Sequence, residues 1–153
     1  MASLTSDLHA VWAMVHDCTG VALATDMKAI GQVVDGRVVA GVLYEKWTDA
    51  NVWMHIAIRP GVMVSPRWAR KAFSYPFDEA GRERITVDIA ANNRAARRLV
   101  ERIGFRVEAV LEGAADRGVD LLLYRLTRDR CTLLRPRAAD ASMAVSPGIA
   151  LEA

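Results

Sequence analysis

Asn93-Arg94-Ala95-Ala96-Arg97-Arg98-Leu99-Val100-Glu101-Arg102-Ile103-Gly104-Phe105 is the stretch on which the fold of this chain turns. Ala96, Leu99, Val100 and Ile103 recur at i, i+3, i+4 and i+7, the spacing of one buried helix face. Arg94, Arg97, Arg98, Glu101 and Arg102 fall on the other side and predict a wet face. Asn92 or Asn93 supplies an N-cap, and Gly104 supplies a stop, since glycine alone enters the left-handed region without a Cβ penalty. Residues 84–89 before this helix alternate as a strand, and residues 105–112 and 119–126 after it predict two more.

Working outward, residues 29–34 and 37–44 flank Asp35-Gly36. Asp-Gly between two β-prone runs predicts a two-residue hairpin. A third strand is expected over 52–58, with Val52, Met54, Ile56 and Ile58 on one face and Trp53, His55 and Ala57 on the other. Leu8, Val11, Trp12 and Val15 predict an amphipathic helix over residues 4–18, ended by Gly20. Ser65-Pro66 reads as a helix start, hydroxyl at the N-cap and proline at the first turn. Ala69, Ala72, Phe73, Pro76, Phe77 and Ala80 form its stripe, and Pro76 predicts a kink near Ala72 because it removes one helix hydrogen bond. The order helix, three strands, helix, strand, helix, two strands implies a mixed sheet of about six or seven strands with helices on its faces. The crossover from Val52 to Ile89 is expected to join parallel strands.

The bulk properties bound the function. At 153 residues, 52% hydrophobic and 25% charged, the chain has the size and composition of one globular domain. Residues 1–130 are expected to form that domain. Residues 131–153, rich in Ala, Arg, Pro and Ser, are expected to be a flexible tail. A net charge of +2 gives no segregated basic surface of the kind a nucleic-acid binder carries. Cys18 and Cys131 share no metal-ligand spacing, so reduced thiols and no metal are expected. No stretch reads as a signal peptide or a membrane span, which places the expectation in the cytoplasm.

The 93–105 stretch resembles the motif of the GNAT (GCN5-related) N-acetyltransferases, in which Asn, then Ala or Ser, lead to a Leu-x-Glu-Lys-like run ending in Gly-Phe. The continuation 107–114, Asp120, Tyr124-Arg125-Leu126 and the segment 72–81 are similar to the branch that acetylates ribosomal-protein N-termini, in the short format of phage-encoded members. The resemblance covers roughly residues 28–126. It implies a mixed α/β sheet with a splayed parallel pair. It also implies acetyl transfer from acetyl-CoA to a primary amine by direct attack, the amine acceptor being a protein or a small molecule. A homodimer is among the assemblies it implies. The alternative is a GNAT-fold chain that binds CoA or a protein partner without catalysis.

Site residues follow from the resemblance. Ile56, Ala57 and Ile58 would offer main-chain groups to the pantetheine arm, where the strands ending near Ile58 and at 85–89 part. Arg67, Trp68, Ala69 and Arg70 would meet the pyrophosphate at a helix start. Asn93 and Ala96 would touch the arm, although Asn93 also reads as a plain cap. His55 is a candidate base, since imidazole changes charge near neutral pH, or a structural strand residue. Asp88 near a strand end and Tyr124 near the leaving sulfur are the other catalytic candidates; a capping Asp and a core Tyr are their ordinary readings. Glu45 reads either as a solvated strand end or as a contact for a cationic acceptor. Two positions depart from the motif: the loop 61–70 holds one glycine, and Val100 stands where many members carry a proton-donating Tyr.

Overall fold

The computed structural model describes residues 1–135. These fall into two compact units, Met1–Val87 and a second beginning at Asp88.

The first unit opens with β1 (Ser3–Thr5), a short strand that the helical reading of residues 4–18 did not anticipate. Asp7 caps α1 (Leu8–Thr19) by accepting from the Ala10 N–H, so the helix starts four residues later than its apolar spacing suggested. β2 (Lys28–Val34) and β3 (Arg37–Glu45) form the expected hairpin, with Asp35 and Gly36 both at positive φ. β4 (Asn51–Ile58) pairs antiparallel with β3, and β5 (Arg84–Ala90) pairs parallel with β4. The strand order through this unit is β1-β2-β3-β4-β5.

Val11, Met14 and Val15 of α1 pack against Ala29, Leu43 and Ala57 of the sheet. A cross-strand glycine pair makes this approach feasible. Gly31 of β2 faces Gly41 of β3, and a Cβ on either would meet a Val11 methyl at 2.7 Å. Val11 therefore sits on a saddle that any side chain would fill.

On the other face lies α2 (Pro66–Ser74), followed by a π-turn over Tyr75–Glu79. Trp68, Ala72, Phe73, Pro76 and Phe77 are its buried side. The disruption expected from Pro76 takes the form of this π-turn, in which the Ala80 N–H reaches back to the Tyr75 carbonyl. Proline cannot donate to the carbonyl of Ala72, four residues earlier. The Tyr44 hydroxyl donates to it instead, at 2.5 Å, from a fully buried position on β3. Burial, reinforced by Tyr75 and Glu79, holds the Tyr44 phenol well above its ordinary pKa, so it remains a donor. Tyr44→Phe is expected to cost about 1–3 kcal/mol, the penalty for leaving a buried carbonyl unpaired. Urea unfolding of the variant measures it, and an unchanged midpoint would show that the carbonyl finds another donor.

The second unit takes the end of β5, then α3 (Arg94–Ile103), β6 (Arg106–Asp116) and β7 (Val119–Thr127), in strand order β5-β7-β6. β6 and β7 are antiparallel, with a bulge between Val107 and Ala109. The described residues thus form a mixed α/β fold with seven strands, mostly antiparallel with one parallel pair, flanked by helices.

Residues 131–134, expected to belong to a flexible tail, are seated against the second unit. Cys131 is fully buried, and the Thr132 hydroxyl donates to the Arg102 carbonyl at the end of α3. Two 3-10 turns, Arg128–Arg130 and Thr132–Leu134, carry the chain there. Burial raises the Cys131 thiol pKa, which suits an inert core thiol. The rest of the expected tail, 136–153, lies outside the described residues.

Candidate functional site

The parallel ladder between β4 and β5 has three rows: Asn51 with Arg84, Val52 with Ile85, and Trp53 with Thr86. A polar staple locks this end. The Arg84 Nε donates to Asn51 Oδ1 at 3.1 Å, the Thr86 hydroxyl donates to the same oxygen at 2.8 Å, and Arg84 Nη2 donates to Thr86 Oγ1 at 3.1 Å. Beyond Trp53, β4 runs on through Met54–Ile58 with its β3 side paired to the end. Its other side carries main-chain groups that have no β5 partner among the described residues. Ile56, Ala57 and Ile58 lie on this run.

His55 is the second residue past the last row. Its Nε2 lies 2.7 Å from Oε1 of Glu45, and the two side chains keep 19% and 10% exposure. The pair forms because antiparallel register sets Glu45 beside Trp53, diagonal to His55 on the same sheet face. Glu45 is therefore a buried partner rather than a solvated strand end. Its signal in the sequence was a carboxylate closing a strand with seven apolar or small residues before it, set across a hairpin-length loop from the only strand histidine.

The loop after β4 is held by a residue the sequence did not single out. Gln32, buried in β2, donates from Nε2 to the Met63 carbonyl at 3.0 Å and accepts from the Ser65 N–H at 2.7 Å. One side-chain amide thus takes up both main-chain polarities of a loop with a single glycine. Ser65 caps α2, accepting from the Trp68 N–H at 3.1 Å. The Trp68 side chain is buried and its indole N–H donates to the Ile30 carbonyl at 3.1 Å. Trp68 thereby anchors α2 to β2. Ala69 is half-buried, while Arg67 and Arg70 are exposed.

In the second unit, Asn93 caps α3 by accepting from the Ala96 N–H at 3.2 Å. Tyr124 is fully buried on β7. Its hydroxyl accepts from Arg97 Nε at 3.2 Å and donates to Glu101 Oε1 at 3.3 Å. The bond to Tyr124 raises the Arg97 pKa further. Tyr124 is thus buried with its proton directed at Glu101. Asp88 is exposed. Asp120 accepts the Gly113 N–H on its side chain and the Ala91 N–H on its carbonyl. Among the described residues, no group of three His, Cys, Asp or Glu side chains could hold a metal ion, and no helix is long and apolar enough to cross a membrane.

No family model matches the sequence, and no curated protein does. Solved structures do match. A GNAT-family protein from Desulfovibrio desulfuricans superposes with a TM-score of 0.67 at 17% identity, over 83% of this chain and 99% of that one. A variant of spermidine N-acetyltransferase SpeG from Vibrio cholerae gives 0.68 at 14% identity, over 84% and 94%. A GNAT-family acetyltransferase from Bacillus anthracis gives 0.53 at 18%, over 65% of each chain. With seven strands among the described residues, one parallel pair and a ladder that stops after three rows, this chain has the fold of the GNAT acetyltransferases.

Proposed function

We propose that the chain is a cytoplasmic N-acetyltransferase that moves an acetyl group from acetyl-CoA to a primary amine, with His55 as the base. The observation that carries this is the His55–Glu45 pair standing just past the point where the β4–β5 ladder ends. The residues present suit acetyl-CoA unevenly. The Met54–Ile58 main chain suits an arm that contains amides, which can be bonded as a neighbouring strand would be. The start of α2 is poorer. Pro66 has no N–H and the Trp68 N–H is taken by Ser65, which leaves the Arg67 N–H and the Arg67 and Arg70 guanidinium groups for phosphate charge. Bound there, acetyl-CoA would supply an activated acyl carbon.

The chain's own part is to hold the acceptor and take its proton. If His55 Nε2–H donates to Glu45, the lone pair lies on Nδ1, and that atom receives the proton of the amine. The acceptor class is a protein N-terminus, a lysine or a small amine; SpeG among the structural matches acts on a small one.

A second reading, a chain that binds CoA without transfer, is favoured by the capped α2 start and by Val100, which is buried in the core and supplies no acid. One pair of measurements separates the two. Acetyl-CoA is expected to raise Tm by mass action under both. Release of CoA thiol that depends on an added primary amine is expected only under the first. Stabilisation without release across alkylamines, lysine and N-terminal peptides would leave the binding reading alone.

A further inference from the structure

One amine already stands beside the proposed base. Lys46 follows Glu45 and turns the chain out of β3 at a φ of +54°. Its own N–H donates to the Asp26 carboxylate at 2.7 Å, and the neighbouring Trp47 indole donates to the Asp26 carbonyl at 3.0 Å. The root of the Lys46 side chain is therefore fixed. From there the side chain lies back over β4. Its Nζ sits 4.9 Å from the centroid of the Trp53 ring and 3.9 Å from Glu45 Oε1. That same oxygen is 2.7 Å from His55 Nε2. Trp53 is the last residue of β4 in the parallel ladder. The amine, the base and the opening of the ladder thus meet at one carboxylate oxygen and one ring. The Lys46 side chain is also 63% exposed, so an incoming acyl donor is not barred from it.

We propose that Lys46 is an internal acceptor, acetylated on Nζ by its own chain. The proposal rests on the acetyltransferase reading above. The ammonium first gives one proton to solvent. Nζ then attacks the thioester carbonyl carbon of acetyl-CoA, the N–C bond forms, the C–S bond breaks, and the electron pair leaves with sulfur. The second proton passes from nitrogen to the His55–Glu45 pair, on the side of the Glu45 oxygen that faces Nζ, and from there to the thiolate. The products are a neutral Nζ-acetyl amide and CoA thiol. Holding the amine beside the base makes the reaction intramolecular within the protein, which is the main source of its rate advantage. Acetylation removes the charge that Trp53 and Glu45 now share.

The other two lysines serve as controls. Lys28 opens β2, and Lys71 on α2 is paired with Glu79. The full chain is incubated with acetyl-CoA and no other amine, then read by intact mass and peptide mapping. A gain of about 42 Da, one acetyl group, is expected at Lys46, at a rate about 10²-fold above that at Lys28 or Lys71. The rate constant should not change on dilution, because donor-bound protein modifies itself. His55→Ala should bring Lys46 down to the rate of the other lysines, and Lys46→Arg, which keeps a cation over Trp53, should abolish the fast phase.

Equal rates at the three lysines would overturn the proposal. So would a rate proportional to protein concentration, a fast phase that survives in Lys46→Arg, or one that survives in His55→Ala. Amine-dependent thiol release with Lys46 unmodified would remove the internal acceptor and leave the proposed function standing. Absence of transfer to any amine, external or internal, would remove both.

Discussion

Gly104→Ala is expected to lower the stability of the chain by about 3 kcal/mol or more. Two penalties add. Gly104 closes α3 at a φ of +119°, where an L side chain is strained. A Cβ there would also overlap the carbonyl oxygen of Arg130, a backbone atom that no rotamer change can move. Relief would require shifting the 3-10 turn that seats Cys131 in the core and brings Thr132 to the end of α3. Gly118→Ala is the comparator. Gly118 has a φ of +71° with open space around its missing Cβ, so it carries the conformational penalty alone, about 1–2 kcal/mol. Urea unfolding of both variants separates the terms. Equal losses would mean that the turn at Arg130 yields freely and the close approach has no energetic weight.

His55→Ala is expected to lower amine-dependent turnover by about 10²–10⁴-fold, the usual range for a positioned acid or base. Acetyl-CoA binding should persist, because the groups assigned to it on β4 are main chain and survive truncation of one side chain on the strand. The loss should therefore fall on kcat, with the thermal shift by acetyl-CoA retained. Glu45→Gln should do less harm. It keeps a hydrogen-bond acceptor opposite Nε2 but removes the negative charge that supports the protonated ring. Wild-type turnover in His55→Ala would take His55 out of the mechanism. A lost thermal shift would mean that the side chain shapes the binding strand instead.

Much of the architecture was legible in residue order because the relevant forces are local. Asp35-Gly36 could only be a tight turn, the stripe Ala96, Leu99, Val100 and Ile103 could only be a buried helix face, and Ser65-Pro66 carried its own capping chemistry. β1 was missed because three residues have no period of their own; they become a strand only by pairing with β2. Pro76 announced a disruption but not its form, since the compensating hydroxyl comes from Tyr44, 28 residues away along the chain from Ala72.

The site divides along the same line. His55 could be picked out as a polar residue inside an apolar strand, and the Ile56–Ile58 run as a strand end. Glu45 as its partner could not, because the diagonal between them is a property of register. Trp68 shows the same dependence on contacts distant in the chain. A motif places it at a phosphate-binding helix start, but the side chain of the third residue of α2 turns inward to a β2 carbonyl. Gln32 gave no signal at all, as an amide in a strand acquires meaning only from the loop it clamps.

By itself, the sequence determined the longer helices and strands, their order, and the family likeness, because periodicity, caps and turn residues act over one or two helical turns. Only the tertiary structure decided where the parallel ladder stops, which carboxylate holds His55, which amine lies beside that pair, and which donor replaces the one proline lacks. Each of these depends on side chains distant in the chain meeting within hydrogen-bonding range, and short-range pattern carries no record of such meetings.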